Sequence, residues 1–532
     1  MNLPGYFVRC RRLRQSIATI QRSRIKHQRC EASLHSQPIV ILGCCLAMIS
    51  FHSLTADQPQ WGDPRTHNLV SDETGLPDHL DPTAAGNLRW SIDMGNSSYG
   101  TPVIVDGKVI IGGNNSAPMD DRFTGIRGTL LCLDEASGEL IWQLTVPKLT
   151  DKKYLDWHLG GICSAPTVVG DHVYVVSNRA EVLCLDINGL ADGNDGPFVD
   201  EVAFISAGSD SPLTLEPHDA DILWRFSMTE QLDVHHHDAA HSIILAHGDH
   251  LYLNTANGVD PKHSHIPQPD APSLIVLDRH TGGLLATDGL GIGNEIFHCN
   301  WSSPVVANVD GHERILFCGG NGICYGFEPL PSDAKPDRGR TLRKVWQFDL
   351  DPGSPKEHVH DFVGNRHESP TNVMSQPVVV GDRLFVSSGG DIWWGKNEAS
   401  LQCIDLSGTG DVTTTNLLWR FPLGRHCSAS PTIHDGLVYI GDFGRTFYCL
   451  DADSGATVWK HPTKAEFWST ALVADGKVYV GNKRGSMFVF EAGRQKKLIS
   501  EMQFETGLYG SPVASAGTLY ISTFSRFFAF AP

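Results

Sequence analysis

The sequence predicts an all-β fold, a closed ring of eight small sheets, each of four antiparallel strands. Two observations carry this. One phrase recurs eight times, fullest at Ser430-Pro431-Thr432-Ile433-His434-Asp435-Gly436-Leu437-Val438-Tyr439-Ile440-Gly441, then Phe447 to Asp451, then Gly455 to Trp459. It reads as strand, Asp-Gly turn, strand, turn, strand, Ser-Gly turn, strand. The second observation is an orphan: Leu88-Arg89-Trp90-Ser91-Ile92-Asp93 has the form of a fourth strand but precedes the first copy, while the last copy stops at Phe530, one strand short. An N-terminal strand completing the last blade would close the ring and remove two sheet edges.

The copies follow in order. The first begins at Thr101-Pro102 with its turn at Asp106-Gly107 and ends at Trp142. The second has Ala165-Pro166, Gly170-Asp171 and Trp224. The third is degenerate, read from Ala239-Ala240 through Gly248-Asp249 to Gly283. The fourth has Ser303-Pro304, Asp310-Gly311 and Trp346. The fifth has Gln376-Pro377, Gly381-Asp382 and Trp419. The sixth ends at Trp459, the seventh runs from Thr470-Ala471 without a terminal Trp, and the eighth starts at Ser511-Pro512. Turns containing Asp-Gly between alternating apolar runs need positive φ and signal tight hairpins. The tryptophans share one register and are expected to pack between blades. Surplus length falls in insertions, chiefly 187–222 and 349–372, expected on the rim.

Three segments are therefore expected: a leader over 1–56, an extension over 57–86 and the propeller over 87–532. Residues 1–37 hold eight Lys and Arg against the single acid Glu31, then an apolar run leads to Ser53-Leu54-Thr55-Ala56. That is the pattern of an export signal, placing the mature chain in the periplasm or cell envelope. The whole chain carries −18, and without the basic leader it is more acidic still. Such a surface disfavours nucleic acid and anionic membranes. Cys132, Cys184, Cys403 and Cys449 repeat at one strand position, which reads as buried small hydrophobes and not as a disulfide framework.

Chemistry is expected at the channel mouth, where the residues before each first strand converge. These include Tyr99; His158 and Cys163; His236, His237, Asp238 and His241; His298, Cys299 and Trp301; His367, Glu368 and Met374; Arg425, His426 and Cys427; Phe467 and Trp468; and Tyr509. Imidazoles converging with a carboxylate suit a divalent metal, and His158, His237, Asp238, His298, Glu368 and His426 are its expected ligands. Trp301 and Trp468 are expected to sandwich a planar ligand, with Arg425 beside them. The alternative is that the histidines only line a wet channel. A second, weaker cation candidate is the acidic loop from Asp186 to Gly196, whose bland reading is a metal-free turn. The sequence has no G-x-S-x-G, P-loop or dinucleotide fingerprint, so no catalytic residue is named and the balance leans away from an enzyme.

The tail Leu-Asp-x-x-Ser-Gly-x-x-x-Trp, as in Leu133 to Trp142 and Leu450 to Trp459, resembles the pyrroloquinoline quinone (PQQ) type β-propeller repeat over about residues 87–531. The opening Pro59-Gln60-Trp61-Gly62-Asp63-Pro64 and Glu73-Thr74-Gly75-Leu76-Pro77 resemble exported PQQ-like propellers of planctomycete-type bacteria. The resemblance implies three functions: a monomeric binding or scaffold module, a quinoprotein oxidoreductase using PQQ and Ca²⁺, or an accessory to outer-membrane protein assembly. It favours a protein or small-molecule partner. The vicinal Cys pair of the quinoprotein alcohol dehydrogenases has no counterpart past the leader, where Cys44-Cys45 is the only such pair.

Overall fold

Eight separate sheets follow one another along the chain, five of four strands as the repeat predicts and three with a short fifth strand added. The computed structural model describes residues 57–83, 86–149, 160–209, 211–237 and 242–532. The expected leader lies outside them. The first blade is Val103–Val105, Lys108–Asn114, Arg127–Asp134 and Leu140–Pro147; the sixth is Thr432–His434, Leu437–Gly441, Thr446–Asp451 and Thr457–Pro462. The orphan strand Leu88–Asp93 pairs antiparallel with Arg526–Phe530, so the eighth blade is stitched from both ends of the propeller.

Turn chemistry sorts the blades. Asp106-Gly107, Asp310-Gly311, Asp435-Gly436 and Asp475-Gly476 have positive φ at both residues, the I′ hairpin. Where the order is reversed, as at Gly170-Asp171, only the glycine is left-handed. The two orders thus give one hairpin by different turn types.

The tryptophans do pack between blades, and all but Trp346, whose buried Nε1 has no partner among the described residues, do it directionally. Trp142 Nε1 donates to Ile187 O in the next blade at 2.8 Å, Trp224 Nε1 to Arg279 O at 3.1 Å and Trp419 Nε1 to Ala452 O at 3.0 Å. Trp90 repeats this across the closing seam, donating to Glu135 O at 3.0 Å. The four repeated cysteines are buried free thiols; burial pushes Cys132, Cys403 and Cys449 up to about 12, far from a reactive thiolate.

Two features around the axis set up the site. At the entry to the first strands, one residue before the proline where there is one, a ladder passes from blade to blade. Ile243 N–H donates to Ser303 Oγ, Ser303 to Gln376 Oε1, Gln376 to Ser430 Oγ, Ser430 to Thr470 Oγ1, Thr470 to Ser511 Oγ and Ser511 to Thr101 Oγ1. The ladder breaks only where Ala165 and Ile243 offer no side-chain acceptor. It also shows that Ile243 fills this position in the third blade. The start expected there, Ala239-Ala240, lies outside the described residues.

Three residues further along the first strands, residues 58–69 run as a strap around the inner edges. Backbone N–H groups of Ile104, Val168, Val306, Val379 and Val473 donate to carbonyls of Gln58, Pro59, Arg65, Thr66 and Leu69. Ile433 N–H donates to Asn68 Oδ1 at 2.9 Å. The strap visits the blades in chain order, and Val70–Ser71 then adds a short parallel strand to the seventh. Innermost strands carry unpaired edge groups, and this segment satisfies them. The expected extension is therefore part of the ring.

Candidate functional site at the channel mouth

A cavity of about 200 Å³ opens at the axis. Trp61 of the strap lines it with Thr101, Gln376, Ser430, Thr470 and Ser511 of the ladder, and Tyr99, Trp301, Trp393, Trp468 and Tyr509. Trp61 Nε1 donates to Ser511 Oγ at 3.3 Å, and its ring packs with Ala165 and Ile243, the two aliphatic residues at which the ladder breaks. Trp468 and Tyr509 lie 5.4 Å apart, Tyr509 and Tyr99 5.1 Å. Buried Trp468 Nε1 has no hydrogen-bond partner among the described residues. Each ladder hydroxyl that accepts an N–H keeps its own hydrogen to donate.

Beside this cavity three imidazoles meet. His298 Nε2 is 2.9 Å from His237 Nε2 and 3.2 Å from His263 Nε2. The scaffold is local: His237 N–H donates to Ala256 O, Gly258 N–H to His235 O and Val259 N–H to His298 O, so the 235–237 and 298–299 segments flank 256–259 like short strands. Gly258 permits the approach, since a β-carbon there would come within 2.8 Å of His237 Cβ and of His298 O. His263 reaches in from a tight loop and takes φ 55, a conformation that side chains seldom adopt. The loop is pinned by Asp260, which accepts the N–H groups of Lys262, Ser264 and His265.

The Nδ1 atoms of His298 and His237 are committed. His298 Nδ1 is 2.7 Å from Asp391 Oδ2, and His237 Nδ1 is 3.2 Å from Val259 O. Carboxylate and carbonyl oxygens only accept, so both Nδ1 atoms carry a hydrogen and the two Nε2 atoms face each other. Asp391 is fully buried. Burial alone would push its carboxyl up. The His298 hydrogen bond and charge, with the N–H groups of Trp393 and Trp394, hold it below its ordinary value.

Of the expected site residues, the structure brings together His237 and His298, and places Trp301 and Trp468 on the cavity wall. His158 and Asp238 lie outside the described residues. Glu368 is exposed in a turn where its N–H donates to Asn365 Oδ1, and it is not part of the imidazole group. His426 is buried and outside the cluster, and burial lowers it to about 4. Arg425 donates to Ile392 O at 3.1 Å and does not line the cavity. His263, Asp391, Trp393 and Trp61 were missed. The readable signal was the length of the loops after the second strands, which open on the same face as the loops before the first strands.

A second group, Asp120, His218 and Asp219, is also close-set, but Arg122 already pairs with Asp120 at 2.6 Å and Asp219 at 2.8 Å.

The family model described as "Outer membrane protein assembly factor BamB", a PQQ-type repeat family, matches residues 79–329 and 409–507. The chain belongs to this family. It is a PQQ-like β-propeller repeat protein. Among solved structures it is similar to BamB from Moraxella catarrhalis (13% identity, 84% of this chain and 97% of that one, TM-score 0.47). It is also similar to the computationally designed Ika8 protein (12%, 84% and 100%, 0.49) and to the quinohemoprotein alcohol dehydrogenase of Comamonas testosteroni (13%, 89% and 80%, 0.42). No curated protein matches the sequence. Among the described residues no helix is long and apolar enough to cross a membrane.

The quinone implied by resemblance fits this mouth poorly. PQQ is a tricarboxylate and its Ca²⁺ takes oxygen ligands. The described cavity lining contains no Asp, Glu, Lys or Arg, and the adjacent cluster is all imidazole.

Proposed function

We propose that this chain is an exported, monomeric binding propeller whose ligand is a compact, uncharged ring compound held in the aromatic mouth cavity. One observation carries the reading: a cavity with aromatic walls, a ring of hydroxyls and no charged side chain among its described lining residues. Aromatic faces favour flat apolar surfaces, and a few placed donors fix orientation. The unpaired indole N–H of Trp468 and the ladder hydroxyls supply those donors. The test is tryptophan fluorescence titration with sugars, uncharged aromatic compounds, and PQQ with Ca²⁺. Saturable quenching by a neutral ring compound, lost in Trp468→Ala, is expected. Binding of PQQ with Ca²⁺, followed by dye reduction with alcohols or sugars, would instead make the chain a quinoprotein.

The family match supports a second reading, an envelope accessory that holds a protein partner on its rim loops. Cross-linking in cells, followed by mass spectrometry, separates the two. A partner captured through 187–222 or 349–372 with no small ligand would favour the accessory.

A further inference from the structure

We propose that His237, His263 and His298 bind a divalent first-row transition ion, with zinc the best fit to the geometry. This goes beyond the cavity ligand and does not depend on it. Three Nε2 atoms lie within 4.8 Å of one another. The two closest pairs are 2.9 and 3.2 Å apart. A tetrahedral ion with metal–nitrogen bonds of about 2.0–2.1 Å needs its donors about 3.3 Å apart, so a small opening of the cluster accommodates it. Both Nδ1 hydrogens of the closest pair are given to Asp391 and Val259, which leaves Nε2 as the metal-facing atom of each ring.

The surroundings are those of a ligand set. Metal-bound imidazoles donate their second nitrogen to a carboxylate or carbonyl, which fixes the tautomer and raises ligand basicity. His298 has the carboxylate and His237 the carbonyl. Asp391 is itself fixed by N–H groups of Trp393 at 2.9 Å and Trp394 at 2.8 Å. Neutral imidazoles without a carboxylate in the first ring of ligands select zinc, copper, nickel or cobalt over calcium or magnesium. Three donors from the described residues leave a tetrahedral ion one further coordination position. Half-buried His263 lies 5.2 Å from the ring of exposed Trp394. The His298 ring lies 4.9 Å from Trp301 and 5.5 Å from Trp393, both on the cavity wall, so the ion would sit directly behind the ligand pocket.

The experiment uses the full chain stripped with a chelator. Calorimetry with Zn²⁺, and visible absorbance with Co²⁺, are expected to give one ion per chain and the intense bands of four-coordinate cobalt, abolished by adding zinc. His263→Ala changes a half-buried loop residue and is expected to weaken binding by more than about 100-fold with an unchanged melting curve without metal. Asp391→Asn should weaken it about 10- to 100-fold. His218→Ala, in the arginine-filled cluster, should leave it unchanged. Folded wild type that takes up no zinc and no cobalt, or a His263→Ala variant that binds both as wild type does, overturns the proposal.

Discussion

Trp90 rests on Gly138. A β-carbon at Gly138 would lie 2.6 Å from the indole, and the glycine has φ +75. The pair spans the seam at which the eighth blade meets the first, and it recurs at Trp224 with Gly282 and Trp419 with Gly455. In these three copies the Ser-Gly or Thr-Gly turn is thus the seat for the tryptophan of the blade before.

Gly138→Ala is therefore expected to destabilise the ring by about 2–4 kcal/mol, combining overpacking with left-handed strain. Gly107→Ala has equal φ strain but open space around its β-carbon, so it should cost only about 1 kcal/mol. Denaturant unfolding of the two variants measures the difference.

Trp61→Ala should lower stability by about 3–5 kcal/mol, the usual cost of emptying a buried aromatic site. It should also enlarge the mouth cavity, because the residue is at once strap core and cavity wall. Deleting 57–95 removes the strap acceptors and the closing strand together, and the product is expected to aggregate. A soluble product with the wild-type melting temperature would refute the closure.

His67 of the strap is fully buried against Trp61, and burial lowers it from 6.5 to about 4. The folded state therefore resists its protonation. Its contribution is complete above pH 6.5 and is lost as pH falls toward 4, by up to about 3 kcal/mol. His67→Asn should flatten the stability profile across that window, measured by unfolding at pH 7.5, 6 and 4.5.

Asp221 acts in the opposite sense. It is buried beside Glu201, both of whose carboxylate oxygens are buried with no hydrogen-bond partner among the described residues. Burial first, then the charges of Glu201, Asp186 and Asp195, raise Asp221 to about 6, against the N–H of Asp195, which lowers it. The folded state favours the proton, so stability falls as pH rises from about 4 through 6. Asp221→Asn keeps an acceptor for the Asp195 N–H. It should be more stable than wild type at pH 7.5 and equal to it near pH 4.

The sequence was most legible where a local rule repeats. Asp435-Gly436 announces its hairpin, Trp459 its register, and Leu88 to Asp93 its role as the missing strand, because each depends on neighbours within a few residues. The strap was opaque because Gln58, Thr66 and Leu69 act through backbone carbonyls, which no side chain advertises. Two of the three imidazoles were legible: His237 and His298 stand at matching positions before first strands. His263 and Asp391 come from loops after second strands, with no fixed offset from the repeat. Glu368 and His426 occupy similar chain positions to His237 and His298, yet loop conformation turns one to solvent and the other into the core.

The strap also imposes an order of assembly. Asn68 must meet Ile433, and Trp61 must meet Ser511, at separations of 365 and 450 residues. Contacts that distant form late, after many loops have closed. The earliest-synthesised part of the propeller therefore waits for the last, and until Arg526–Phe530 emerges the growing chain holds blades with bare edges at both ends. Such a chain suits folding in one episode, once the whole propeller is available, better than blade-by-blade maturation on the ribosome.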